Sequence, residues 1–338
     1  MNSTPTPQDF TLPGFEDLEI STQILIRAAR SRGIEVEILD RRSHFLRLRK
    51  GDRVQLVKEA SKTALDSYIS FLIMENKQVT KQLLMEAGLR VPTGKQYHKR
   101  ETAVIDFPEY EDQSIVIKPT STNFGIGVST IQEPCTHERF ITALDRAFDE
   151  DESIIIEEFF AGEEYRFLII GTECVAVCNR VPANVIGDGR STIKDLVEKK
   201  NADPRRGVGH VTPLEKIQLG ETELRTLKQA GKDAGTVPNN GERVFLRHNS
   251  NISTGGDSID FTDQMHSGYK EIAVRAAQTA DARICGVDII VRDIQPAPTN
   301  ENYAIIELNF NPVLYIHDFP YEGQNRNVAE KILDLLDY

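Results

Sequence analysis

Three polar residues inside two apolar runs constrain this chain more than any other feature. GVDIIV (286–291) and YAIIELN (303–309) are β-branched stretches separated by a Pro- and Asn-rich connector, the pattern of two strands joined by a loop or hairpin. Asp288, Glu307 and Asn309 lie within those runs. A strand interior is a costly place for a carboxylate unless it is paired, hydrogen-bonded or bound to a cation. Glu307 and Asn309 are two apart, so their side chains leave the same face of one strand. If Asp288 faces the same way on a neighbouring strand, three oxygen ligands converge. A set of carboxylates plus an amide suits Mg²⁺, usually together with nucleotide phosphates. The plainer alternative is three strand-end residues in water.

A second stretch, SIVIKPTSTNFGIGVST (114–130), places Lys118 at the end of a strand and follows it with a loop of small residues. Gly125 and Gly127 would let backbone amides approach phosphate oxygens, with Lys118 as a point charge. No G-x-x-x-x-G-K-[ST] occurs, so this is not a P-loop, and a G-x-G alone is more often a plain turn.

At 338 residues the chain can bury a large core and form two or three lobes. Its net charge of −12 argues against non-specific binding to nucleic acid or an anionic membrane. No apolar run approaches the roughly 20 residues of a membrane span, and the first residues lack a signal-peptide core. Cys135, Cys174, Cys178 and Cys285 have no C-x-x-C spacing, which fits reduced thiols in a cytoplasmic protein.

In chain order, residues 1–13 are Pro- and Thr-rich and expected to be loose. Residues 16–32 have helical spacing and stop at Gly33; IEVEILD is a strand, and FLRLRKGDRVQLV a hairpin turning at Lys50–Asp52. This opening portion is too short for a nucleotide-binding βαβαβ unit. ENKQVTKQLLMEAG (75–88) is an amphipathic helix with Lys77 near its start, either poised for a phosphate or simply solvated. SIIIEEFFAGEEYRFLIIG is a strand, a break at Ala161–Gly162 and a second strand. Glu157, Glu158, Glu163 and Glu164 crowd that break, where an adenine and its ribose could slot in; a solvated acidic hinge is the competing possibility. A Gly-Asp-Gly turn precedes a helix capped by Ser191 or Thr192, and a moderate helix lies near 221–230. VFLRHNSNISTGGDSIDFTD is a strand running into a long polar loop, in which Arg247 and the Gly255–Gly256 amides could hold anionic oxygens. The seven histidines fit structural or surface roles, His248 being the one nearest that loop in sequence.

Seven strings in order, ENKQVTK, VIKPTSTNFGIGV, IEEFFAGEEYRFLI, GDGRSTIKDLVEKKN, LRHNSNISTGGDSIDFTD, CGVDII and ELNFNP, resemble the ATP-grasp superfamily of carboxylate–amine ligases, from about Glu16 to the end. GDGRST and NISTGG look most like two branches, the glutathione-synthetase module fused behind a glutamate–cysteine ligase and cyanophycin synthetase, and the opening and closing strings look like the first. The resemblance implies an α+β fold in which two lobes grip ATP: an N-terminal segment (1–74), a small lobe with the glycine-rich loop (75–156) and a large lobe with the Mg²⁺-binding strands (157–338). It implies that Lys77 and Lys118 hold ATP phosphates under the loop Ser121–Val128, including Gly125 and Gly127. Glu157, Glu158 and Phe160 would meet adenine, Glu164 the ribose, and Asp288, Glu307 and Asn309 two Mg²⁺ or Mn²⁺ ions. Arg247, with Asn249, Gly255 and Gly256, would stabilise the acyl-phosphate and its tetrahedral successor, and Arg166 would bind the γ-glutamyl carboxylate. One departure is that Arg247 lies in R-H-N-S-N rather than in the R-G-N of stand-alone bacterial synthetases. The implied substrates are γ-glutamylcysteine and glycine, or other amino acids or peptides in a cyanophycin-synthetase-like ligase; a non-catalytic nucleotide-binding module is the remaining alternative. No nucleic acid or membrane partner is expected. A homodimer and a functional pairing with a glutamate–cysteine ligase are.

Overall fold

In the computed structural model, residues 10–122, 126–131 and 135–338 are described. Glu19 caps the helix that follows, its carboxylate accepting from the Thr22 amide at 3.1 Å; α1 (Ile20–Ser31) then runs until Gly33 turns the chain at φ 69°. Next come β1 (Glu35–Asp40), β2 (Phe45–Lys50), β3 (Arg53–Lys58) and β4 (Lys62–Thr63), an antiparallel meander whose β2–β3 hairpin turns at Gly51. Leu46, Leu48 and Val57 on its inner face are fully buried against α1 residues.

The helix expected at 75–88 forms over residues 77–86, and a separate helix precedes it. α2 (Tyr68–Glu75) ends at Asn76, and the Asn76 side chain caps α3 (Lys77–Glu86), accepting from the Gln78 and Val79 amides at 3.1 Å each. A small antiparallel sheet follows in the order β5-β8-β6-β7, from β5 (Gly94–Tyr97), β6 (Ile115–Pro119), β7 (Ser129–Ile131) and β8 (Ile154–Glu158). It is packed by α4 (Arg100–Ile105) and α5 (His137–Phe148), with Phe140 and Leu144 buried against Ile115 and Ile117. The lobe boundary expected at 156/157 falls inside β8.

The large sheet is built from β9 (Glu163–Ile170), β10 (Glu173–Val181), β15 (Asp257–Asp260), β16 (Ile284–Val291) and β17 (Tyr303–Asn309), all antiparallel, in the order β15-β10-β9-β16-β17. Between β10 and β15 lie β11 (Asn184–Ile186), α6 (Ile193–Asn201), β12 (Arg206–Gly207), β13 (Leu214–Glu215), α7 (Glu221–Gln229) and β14 (Arg243–Phe245). Thr192 caps α6 in a box with Asp195. The polar stretch expected as one long loop contains a 3₁₀ turn (Ile252–Thr254) and the edge strand β15. α8 (Ser267–Thr279) covers one face of the sheet, where Phe167, Val177, Val287 and Ile289 are buried. α9 (Tyr315–Asp318) and α10 (Val328–Leu335) complete the chain.

Alternation along the strands gives the opposite face two characters. Leu168, Ile170 and Ile284 are buried in the cluster that contains α1 and α10 residues; further along the same strands that face turns charged, with Glu164 and Arg166 on β9 and Asp288 on β16. The fold is thus α+β. No described helix is long and apolar enough to cross a membrane, and the four cysteines are unpaired.

Candidate active site

Strand register assembles the charged face. Asp288 pairs directly with Glu307 on one side and with Arg166 on the other, and Asn309 sits opposite Gly286. The Asn309 amide donates to both Asp288 Oδ2 and Glu307 Oε1, each at 3.2 Å, so the three side chains meet at one point. Two carboxylates share those amide hydrogens; turning the amide over would present its oxygen beside them instead. Among the described residues no three His, Cys, Asp or Glu gather closely enough to hold a metal, and this set is two carboxylates and an amide. Its all-oxygen donors fit Mg²⁺.

Arginines hold Asp288 from the other side. Arg166 forks onto it through Nε and Nη2, both at 2.7 Å, and Arg180 on β10 reaches Oδ2 at 2.8 Å. Gly286 leaves room for this, since a Cβ there would lie 3.3 Å from Arg166 Cδ. Burial alone would push the Asp288 carboxyl up, but the two guanidiniums outweigh it and hold the group far below the usual carboxylate range. Arg166, expected at a substrate carboxylate, is therefore engaged by Asp288. Arg180 also pairs with Glu164, whose other oxygen accepts from Ser250 Oγ at 2.5 Å.

The lysines form a second group. Lys118, at the end of β6, and Lys81, one turn into α3, both engage Glu157, which is 4% exposed. Lys77 donates to the Thr122 carbonyl at 2.7 Å. Burial lowers its pKa, Glu307 opposes that, and Lys118 adds to it, so Lys77 links the glycine-rich loop to the acidic strands. A narrow gap lined by Lys77, Thr80, Lys81 and Glu307 separates α3 from β17. The loop is anchored by Asp151, which accepts from the Ser121 amide, Ser121 Oγ and Thr120 Oγ1 at 2.8–2.9 Å. Burial opposes ionisation of Asp151, but these donors hold its carboxyl at about 2. Gly127 has φ 74°, and a Cβ there would meet Pro119 Cγ at 2.6 Å; Val128 is half-buried beside it, while Gly125 lies outside the described residues.

At the acidic break Ala161, Gly162 and Glu163 are exposed, whereas the carboxylates before it have partners. Glu158 accepts from the Thr93 amide at 2.6 Å and pairs with Arg90 at 2.7 Å. Phe160 is buried between Arg90 and Arg292, whose guanidiniums lie 5.9 and 4.8 Å from its ring centre. Arg247 stands apart from the Asp288 cluster in its contacts: its Nε donates to the buried Glu223 on α7 at 2.5 Å. Asn249 accepts from Thr254 Oγ1 at 3.0 Å. Gly255 has φ 92°, and a Cβ on Gly256 would lie 2.8 Å from Asn251 O. His248 is exposed, whereas His317 is fully buried with neither ring nitrogen bonded, kept neutral by burial and by Arg166 at a pKa of about 3.

Arg180, Lys81, Arg90 and Asp151 are absent from the residues expected from sequence. Only Arg180 carried a signal, its period-2 spacing from Cys178 on an apolar strand. A cavity of about 520 Å³ lies elsewhere, at the β15 edge, lined by Lys200, Arg243, Asp257, Tyr321 and Glu322 among others.

The pattern of an ATP-grasp-like domain matches residues 16–69, and that of a RimK-like ATP-grasp domain matches 219–336. The chain belongs to the ATP-grasp superfamily. This ATP-grasp chain is 55% identical over 329 residues to a glutathione biosynthesis bifunctional protein of Clostridium perfringens, covering 97% of itself and 42% of that protein. A protein of the same name from Listeria innocua is 50% identical with the same coverage. The crystal structure of a bifunctional glutathione synthetase from Pasteurella multocida superposes with a TM-score of 0.79 at 43% identity, over 98% of this chain and 46% of that one. The ATP-grasp chain thus spans less than half the length of these relatives.

Proposed function

We propose that this chain is an ATP-dependent carboxylate–amine ligase of the glutathione-synthetase type, joining γ-glutamylcysteine to glycine with release of ADP and phosphate. The observation that carries the proposal is the convergence of Asp288, Glu307 and Asn309 at one point, with Lys77 beside Glu307. The bifunctional relatives are named for glutathione biosynthesis, which supports that substrate pair.

A carboxylate is a poor electrophile, so its oxygen first attacks the γ-phosphoryl group of ATP, and positioning supplies most of the catalysis. Mg²⁺ held by Asp288, Glu307 and Asn309 would neutralise phosphate charge when bound. Lys118 and Lys77 contact the phosphates, with Glu157 and Lys81 fixing the first of them. Asp151 anchors Thr120 and Ser121, from which the glycine-rich stretch with Gly127 continues. Glu157–Phe160 borders the adenine and Glu164 the ribose. The amine of glycine then displaces phosphate from the acyl-phosphate. The oxyanion meets Arg247, oriented through Nε by Glu223, and the amides of Gly255 and Gly256, with Asn249 bracing the loop. Arg166, forked onto Asp288, orients that carboxylate. With four unpaired thiols, a reducing cytoplasm is the assigned setting, and a glutamate–cysteine ligase the functional partner.

Coupled ADP release against a panel of amino acids and short peptides tests this. The expected result is glycine-dependent turnover that requires γ-glutamylcysteine. Stimulation by aspartate or arginine with an acidic peptide would assign a cyanophycin-synthetase-like ligase instead, and binding of ATP without turnover a non-catalytic module.

A further inference from the structure

One strained segment outside the charged face reaches its border. β3 ends at Lys58, and the next two residues, Glu59 and Ala60, both take left-handed backbone with φ 49° and 62°. Neither is glycine, and two such residues in succession persist only where surrounding contacts over-determine them. Those contacts are specific. The Glu59 amide donates to the His44 carbonyl at 3.2 Å, the Ser61 amide to the Glu59 carbonyl at 2.7 Å, and Ala60 is fully buried. Asn311 then ties the turn to the catalytic strands: its amide donates to Glu59 Oε2 and its oxygen accepts from Ser61 Oγ, both at 3.3 Å. Asn311 stands two residues beyond Asn309.

The turn holds a carboxylate between two ammonium groups. Lys58 lies 3.1 Å from Glu59 Oε1, and Lys62 pairs with Oε2. The Lys62 ammonium is also 5.5 Å from the ring centre of Phe310, which follows Asn309 directly and packs edge-on against Phe71 at 4.3 Å. All three charged side chains of the turn remain partly exposed. By contrast, Arg166 and Arg180 on the face itself are committed to Asp288 and Glu164. A carboxylate–ammonium couple is complementary to a zwitterion, because each charge of the incoming group can replace one partner of the resident pair.

We propose that the Lys58–Lys62 turn binds the α-amino-acid end of the peptide substrate, Glu59 taking its ammonium group and Lys62 its carboxylate. This rests on the ligase function proposed above and assigns the part of the chain that selects the substrate. The left-handed pair at 59–60 aims the couple at residues 309–311, and Phe310 backs Lys62.

Steady-state ligation with purified full chain tests it. Lys62→Ala should raise KM for γ-glutamylcysteine by about 10–100-fold, the worth of one charge-assisted contact. KM for ATP and for glycine should move little, and Lys62→Arg should recover most of the loss. Substrate analogues separate binding from structure. γ-Aminobutyryl-cysteine, which lacks the α-carboxylate, should be a weak substrate of the unmodified chain and lose nothing further in Lys62→Ala. Glutaryl-cysteine, which lacks the α-ammonium, should behave likewise with Glu59→Gln. The proposal is overturned if the unmodified chain uses γ-aminobutyryl-cysteine as well as γ-glutamylcysteine, or if Lys62→Ala penalises both equally. A chain with no γ-glutamylcysteine-dependent turnover at all overturns the ligase function, and this assignment with it.

Discussion

Glu157→Gln isolates the electrostatics beneath the phosphate loop. Glu157 is buried on β8 between Lys81 and Lys118, themselves mostly buried. At an effective dielectric near 20, opposite unit charges about 3 Å apart attract by roughly 5–6 kcal/mol, and desolvation of three ions cancels most of that. Deleting the one anion leaves two ammonium groups facing each other without a counter-charge, a change that costs about 3–5 kcal/mol. The titrations are asymmetric for the same reason. Burial would raise the Glu157 carboxyl, but two cations hold it below its ordinary 4.5, whereas Lys81 is pushed down by burial and by Lys118, which Glu157 and, to a smaller extent, Glu158 do not offset. A depressed carboxylate contributes stability above its unfolded pKa and loses it as pH falls through its lower folded value. Urea unfolding should therefore show the full deficit of Glu157→Gln at pH 7 and a shrinking one below about pH 4.5. Adding Lys81→Met removes one stranded ammonium, so the double variant should be more stable than the sum of the singles by about 1–3 kcal/mol. A deficit below about 1 kcal/mol, strict additivity, or a gap that widens on acidification would refute the reasoning.

Two further outcomes follow from single residues. Asp151→Asn weakens the anchor of Thr120 and Ser121, so KM for ATP should rise about 10-fold with the urea midpoint nearly unmoved; an unchanged KM would remove Asp151 from the site. Asp318 is buried, accepts from the Val328 amide at 2.9 Å, and is pushed up to about 7 mainly by burial. A raised carboxyl favours the folded state while protonated, so its contribution is complete below its ordinary 3.8 and is lost as pH rises to about 7. Stability measured from pH 4 to pH 8 should thus fall less in Asp318→Asn than in the unmodified chain; equal slopes would contradict the assignment.

Elements with strong periodicity or a capping signal are legible in the sequence. The hairpin turning at Gly51, the strands carrying Asp288 and Glu307, and the helix capped at Thr192 lie where pattern and turn chemistry put them. α2 was missed because Asn76 can either continue a helix or cap a new one, and the local sequence does not choose. β15 was missed because Asp257, Ser258 and Asp260 make a polar strand. Lys200 and Arg206 engage Asp257, and Arg326 engages Asp260, and none of these partners is local in sequence. The meeting of Asp288, Glu307 and Asn309 followed from period-2 alternation once their two strands were neighbours. The arginines on Asp288 depend on the lateral order β10-β9-β16, and Arg166 and Arg180 come from 122 and 108 residues away. Pairing of Arg247 with Glu223 likewise required the packing of α7 beside the loop.

The most direct test is a crystal of the chain grown with Mn²⁺ and a non-hydrolysable ATP analogue, with data collected at the manganese edge. The expected anomalous density lies within ligand distance of Asp288, Glu307 and Asn309 and against the analogue's phosphates, with Lys77 and Lys118 on those same phosphates. Manganese bound elsewhere, or a nucleotide whose phosphates do not approach these three side chains, would contradict it.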